Sequence, residues 1–177
     1  MKRVPSPCRT HLRFTNGGFG TYNPRIEFVI RQSKPADRDV IAAFNVALAL
    51  ETEDLRLDPA IVRAGVEGLL RDAARGIYFV AENQGAVIGQ VLITYEWSDW
   101  RNGNFWWLQS VYVQREFRAR GVFGSLFAHV LAQAAAQKNV CGLRLYMERE
   151  NHRAREVYRR LGLNETRYQV FERVFPS

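Results

Sequence analysis

The spacing of apolar and polar residues changes character near residue 26. Ile26, Phe28 and Ile30 stand two apart with Glu27 and Arg31 between them, the period of a strand with one buried face. Lys34-Pro35-Ala36-Asp37 then places a proline near a helix start. Val40, Ile41, Phe44, Ala47, Leu48 and Leu50 follow at helical spacing, and Asp58-Pro59 opens a second helical run through Ile61, Val62, Val66, Leu69 and Leu70. Residues 77–82 and 86–97 read as strands joined by the turn Asn83-Gln84-Gly85, and a third strand is expected over 104–113. Asn102-Gly103 before it predicts a two-residue hairpin turn. A basic, glycine-containing loop follows, then a helix over 121–138, a short strand over 143–147, a helix over 151–161 and a final strand over 166–174. This order predicts an α+β domain with a mixed, mainly antiparallel central sheet and helices on both faces.

Composition narrows the picture. With 177 residues, 47% of them apolar, the chain fills one domain over residues 26–177 with a full hydrophobic core. Its apolar stretches, Val40 to Leu50 and Val122 to Ala136, are broken by Asn45 or by His129 and Gln133. Neither supplies the ~20 apolar residues of a membrane span, so no membrane partner is expected. The net charge is +7, but residues 1–25 carry five basic side chains and no acid, which leaves +2 for the remainder. A flexible basic N-terminal tail over 1–25 is expected, without the apolar core of a secretory signal, and bulk nucleic-acid binding is not expected of the body. Cys8 and Cys141 do not form a disulfide framework and fit a reducing cytoplasm. His11, His129 and His152 have no ligand-like spacing, so no metal is assigned.

The loop of residues 113–126 joins a strand to a helix through Arg115, Arg118, Arg120, Gly121 and Gly124. Free N–H groups of a first helical turn, the positive end of the helix dipole and glycines that allow close approach suit a phosphate. An ordinary helix start with a solvated basic face accounts for the same residues taken alone. Arg118, Gly121 and Phe123 also match the Arg/Gln-x-x-Gly-x-Gly/Ala spacing, and here the sequence resembles the GNAT superfamily of acyl-CoA-dependent N-acyltransferases. Phe123 departs from the small residue of that pattern, and Gly124 follows it directly. A second motif begins 30 residues beyond Gly121: Asn151, Ala154, Tyr158, Gly162 and Leu163 follow the family's Asn-x-x-Ala-x-x-x-Tyr-x-x-x-Gly-Phe pattern, with Leu for the last Phe.

The resemblance implies a GNAT-like fold with a splayed acyl-CoA site and acetyl-CoA as donor cosubstrate. It implies a coenzyme site made by Val111, Tyr112 and Val113, by Arg118, Ala119, Arg120, Gly121, Val122, Phe123 and Gly124, and by Asn151, Arg155 and Tyr158. The pyrophosphate would lie on backbone N–H groups of residues 119–124, and an N–H near Val111 would polarise the thioester carbonyl. Tyr158 would give a proton to the departing thiolate. Many family members place a glutamate two residues before the equivalent of Val111, where this chain has Gln109, which is no base.

Counting outward from a two-residue turn at Asn102-Gly103 pairs Arg101 with Asn104 and sets Glu96 opposite Gln109. Glu96 is therefore the expected base, acting directly or through a water held by Gln109. A solvated carboxylate at a strand end is the other reading. Glu51, Glu53 and Asp54, in the segment that borders the acceptor in this family, would with Glu96 and Asp99 receive a cationic amine. Trp97, with Trp100, Trp106 and Trp107, would wall it. The expected function is acetyl transfer from acetyl-CoA to a primary amine in a ternary complex, with a homodimer left open. A non-catalytic acyl-CoA sensor and an RNA- or ribosome-associated protein using the basic tail are the alternatives.

Overall fold

Five strands in the spatial order β1-β2-β3-β4-β5 form the sheet of the computed structural model, which describes residues 26–175. In chain order the elements are β1 (Val29–Gln32), α1 (Arg38–Glu53), α2 (Pro59–Arg71), β2 (Ile77–Asn83), β3 (Ala86–Ser98), β4 (Gly103–Val113), α3 (Val122–Ala135), β5 (Val140–Leu145) and α4 (His152–Arg160). The strands pair antiparallel from β1 to β4, and β5 runs parallel to β4. This is the mixed α+β architecture expected from the element order.

The two faces of the sheet carry separate cores. On one, Phe79, Val91, Ile93 and Leu108 pack against Val122, Leu126, Phe127 and Val130 of α3. On the other, Tyr78, Val80, Leu92 and Tyr112 pack against Ile41 and Phe44 of α1 and Val66 of α2. Each fully buried aliphatic side chain contributes roughly 1.5–3 kcal/mol. Asp37 anchors the first face change: its buried carboxylate accepts from Lys34 N at 2.8 Å and from Arg31 at 2.6 Å, joining β1 to the start of α1. Asp58 caps α2 by accepting from Ala60 N at 2.8 Å, with Pro59 in the first turn.

β5 begins at Val140 and ends at Leu145 where 143–147 was expected, α3 ends at Ala135 where 138 was expected, and three further expectations change. Ile26 and Phe28 pack on the core but precede β1, which is confined to Val29–Gln32. Residues 166–174 form no strand, and Tyr168, Val170, Phe171 and Val174 are exposed. Their alternation supplies a strand pattern, but a strand also needs a ladder partner. The hairpin turn is not Asn102-Gly103: Ser98 pairs with Gly103, and residues 99–102 make the loop. Gly103 belongs to β4, where a Cβ would lie 2.9 Å from the carbonyl oxygen of Asn139, so the glycine serves sheet packing. Residues 1–25, including the expected tail, lie outside the described residues.

Candidate functional site

β4 and β5 pair from Asn104↔Val140 to Leu108↔Leu145 and no further. Beyond Leu108, β4 continues to Val113 while the chain after Leu145 leaves the sheet, so the expected splay lies beside Val111, Tyr112 and Val113. β4 is also bulged there. Gln90 pairs with Tyr112 and Leu92 with Gln109, so Ser110 and Val111 together face the single residue Val91. Ser110 has a left-handed φ of 45°. The bulge is braced from behind by Gln90, fully buried, whose amide donates to Ser110 O at 3.3 Å and to Asn45 Oδ1 at 2.7 Å. Asn45 in turn donates to the Tyr78 hydroxyl at 3.0 Å, connecting the bulge to α1. This network was not foreseen in the sequence, although a glutamine inside the run Val87 to Ile93 was its visible signal.

A 3₁₀ turn, Arg115–Phe117, carries the chain from β4 toward α3. Ala119 (φ 60°) and Gly121 (φ 84°) are left-handed, which curls the backbone at the helix start, a path that turns N–H groups toward one concave side. Gly121 occupies the N-cap of α3 without a side-chain cap, so no side chain competes there for the first-turn N–H groups. A Cβ built on Gly121 or Gly124 would meet nothing within 4 Å, so the space over this turn is open. These features fit an anionic group such as a pyrophosphate. Val122 is buried in the core and offers only its backbone, while Arg120 lies over the Phe117 ring at 6.0 Å.

Arg118 faces another way. Its Nε donates to Val113 O at 2.8 Å, its Nη2 to Glu51 at 2.7 Å, and its guanidinium lies 5.4 Å from the Tyr112 ring centre. Glu51 also accepts from the Tyr112 hydroxyl at 3.1 Å and from Arg115 Nε at 3.3 Å. The hydrogen bond from Arg118 holds the Glu51 carboxyl below the usual range. Glu51, expected at the acceptor, thus ties α1 to the basic loop, whereas Glu53 lines a cleft of about 440 Å³ between α1, α2 and the sheet.

On α4, Asn151 caps the helix by accepting from Ala154 N at 2.9 Å. Gly162 (φ 85°) ends it, with Gly162 N donating to Arg159 O and Leu163 N to Tyr158 O, both at 3.0 Å. Arg155 donates to Arg149 O at 2.7 Å, bracing the approach to α4. The Tyr158 ring meets Phe123 edge-on at 6.1 Å, so the residue that departs from the loop motif links the loop to α4. Burial pushes the Tyr158 phenol up, which keeps its proton in place at neutral pH.

The register behind Glu96 as base is corrected. Glu96 pairs with Phe105 and Gln109 with Leu92, a separation of four β3 residues, or roughly 13 Å along the strand. The Glu96 carboxylate accepts from Arg144 at 2.6 Å and from the Trp107 indole, and the Arg144 guanidinium lies 3.7 Å from the Phe105 ring centre. Gln109 donates to Thr94 Oγ1 at 2.5 Å. The tryptophans disperse: Trp106 is buried on the α3 face, Trp97 and Trp100 are exposed, and Trp107 stacks on Tyr146 at 4.3 Å. A groove of about 540 Å³ between α3, β5 and the end of α4 lies apart from these groups. Among the described residues, no group of three or more His, Cys, Asp or Glu side chains is placed to hold a metal, and no helix is long and apolar enough to cross a membrane.

Comparison with known proteins bears on this arrangement. Residues 45–163 match the model of the "Acetyltransferase (GNAT) family". The bovine (Bos taurus) thialysine N-epsilon-acetyltransferase is 34% identical over 85 residues, 48% of this chain and 49% of that protein, so the chain spans about half the length of the curated relative it matches. The crystal structure of a possible acetyltransferase from Clostridium difficile 630 is 42% identical, with a TM-score of 0.81 over 85% of this chain and 99% of that one. An aminoglycoside N-acetyltransferase in complex with CoA has a TM-score of 0.66 at 21% identity over 84% of this chain and 95% of its own, a likeness of fold alone.

Proposed function

Because the chain belongs to the GNAT acetyltransferase family, we propose that it moves an acetyl group from acetyl-CoA to a primary amine by direct attack in a ternary complex. The observation that carries this reading is the uncapped start of α3 beside Tyr158, joined through Phe123, at the end of the sheet where β4 and β5 part.

The N–H groups of residues 119–124 would receive the pyrophosphate, with charge support from the helix dipole. Val111, Tyr112 and Val113 would line the pantetheine arm, and the Val111 N–H would stabilise negative charge on the thioester oxygen. The amine nitrogen attacks the carbonyl carbon, the C–S bond breaks, and Tyr158 gives its proton to the thiolate. Gln109 uses its amide N–H on Thr94, which leaves its carbonyl oxygen to orient the amine or a water. Glu96 is engaged by Arg144 and Trp107 and is not assigned the base, so the amine's proton passes to solvent.

A second reading, an acyl-CoA-binding domain without catalysis, is favoured by the absence of a carboxylate at position 109 and by the engagement of Glu96. Amine-dependent release of CoA thiol from acetyl-CoA separates the two. Acetylated product supports the transferase, and binding without product supports the sensor.

A further inference from the structure

We propose that the acceptor is a monoamine with an apolar body, seated in the cleft between α1, α2 and the sheet. The inference rests on the acetyltransferase reading and adds its substrate class.

A polyamine or aminosugar needs several uncompensated carboxylates, because each ammonium it carries must be desolvated against a partner. Two of the acids placed to serve are already in use. Glu51 is held by Arg115, Arg118 and Tyr112, and Glu96 by Arg144 and Trp107. Among the described residues lining the cleft, Glu53 is the one acid, enough for a single ammonium.

Leu48, Leu55, Val62 and Leu69 line the cleft, and Leu55 remains 47% exposed. A volume of about 440 Å³ is on the scale of a small-molecule site, and apolar walls with few polar groups are what such sites present.

Asn45, Tyr78 and Ser110 line the cleft, and Ser110 precedes Val111, the residue assigned to the thioester, so a ligand reaching the floor is next to the acyl group. Behind the floor, the carbonyl oxygen of Gln90 is buried without a donor among the described residues. The amine therefore meets Glu53 as an ammonium on entry and, once it has lost its proton, reaches the floor beside Ser110, with its apolar body between the helices.

The test is acetyl transfer from acetyl-CoA to matched amines: 2-phenylethylamine and 3-methylbutylamine against spermidine and kanamycin. Gly65 of α2 lines the cleft, and a Cβ there meets nothing within 4 Å, so Gly65→Leu starts a side chain in open space at the cleft wall. The expected result is kcat/KM at least ~10-fold higher for the apolar monoamines, with Gly65→Leu raising their KM ~10-fold while CoA affinity in calorimetry stays unchanged. Val62→Ala, which enlarges the cleft, should shift preference toward the bulkier arylalkylamine. Preference for spermidine or kanamycin, or an unchanged KM in Gly65→Leu, overturns this inference and leaves the transferase reading standing. CoA binding with no transfer to any amine overturns both.

Discussion

Glu51 and Arg118, 67 positions apart in sequence, meet at 2.7 Å and join the last turn of α1 to the loop that starts α3. Tyr112 and Arg115 bond the same carboxylate. One side chain thereby couples the helix bordering the cleft to the backbone that would hold a pyrophosphate.

Glu51→Gln should lower stability by about 1 kcal/mol, the scale of a partly exposed ion pair with one supporting hydroxyl. In a urea-denaturation cycle with Arg118→Gln, the losses should be non-additive. The sign of the pH dependence follows from the depressed carboxyl. The bridge contributes fully above the ordinary value of 4.5 and is lost as pH falls through the lower folded-state value. The stability gap between wild type and Glu51→Gln should therefore narrow on acidification below that value.

Gly121→Ala places a Cβ in the open space over the α3 start at a φ of 84°. The strain should cost about 1 kcal/mol, and CoA affinity should fall by more than that strain explains. Calorimetry and urea denaturation of the same variant read the two effects separately. Equal affinity would remove this turn from the coenzyme site.

Gly103→Ala tests the corrected hairpin. A Cβ only 2.9 Å from the carbonyl oxygen of Asn139 forces β4 or the β5 approach to shift, with an expected loss of roughly 1–3 kcal/mol. A glycine needed only for turn geometry would instead tolerate alanine according to its φ.

That contrast shows what the sequence could convey. Helical spacing in α1 and α2, the glycine at the α3 start and the Asn151 to Gly162 frame of α4 are local features, and each was legible, whereas the missing side-chain cap on α3 was not. Asn102-Gly103 looked like a turn because the contact with Asn139 that requires Gly103 comes from 36 residues downstream. The resulting register moved Glu96 away from Gln109 and beside Arg144, a residue of β5 that the hairpin alone does not contain. Residues 166–174 carry a strand's alternation, but no neighbouring strand pairs with them among the described residues. Position at the end of α1 did not reveal which way Glu51 turns. Tyr112 and Arg118, brought to the end of α1 by β4 and the loop after it, decide it.

Tyr158→Phe removes the proton of a half-buried phenol and keeps the ring contact with Phe123. Turnover should fall ~10²–10⁴-fold with CoA affinity nearly unchanged. Wild-type turnover across pH would make Tyr158 a packing residue.

CoA thiol release from acetyl-CoA, followed together with the mass of the amine in wild type and in Tyr158→Phe, distinguishes transfer from binding. Release should depend on the amine, match the acetylated amine mole for mole and fall strongly in the variant. Binding of CoA with no acetylated amine across apolar monoamines, polyamines and peptides would contradict transfer.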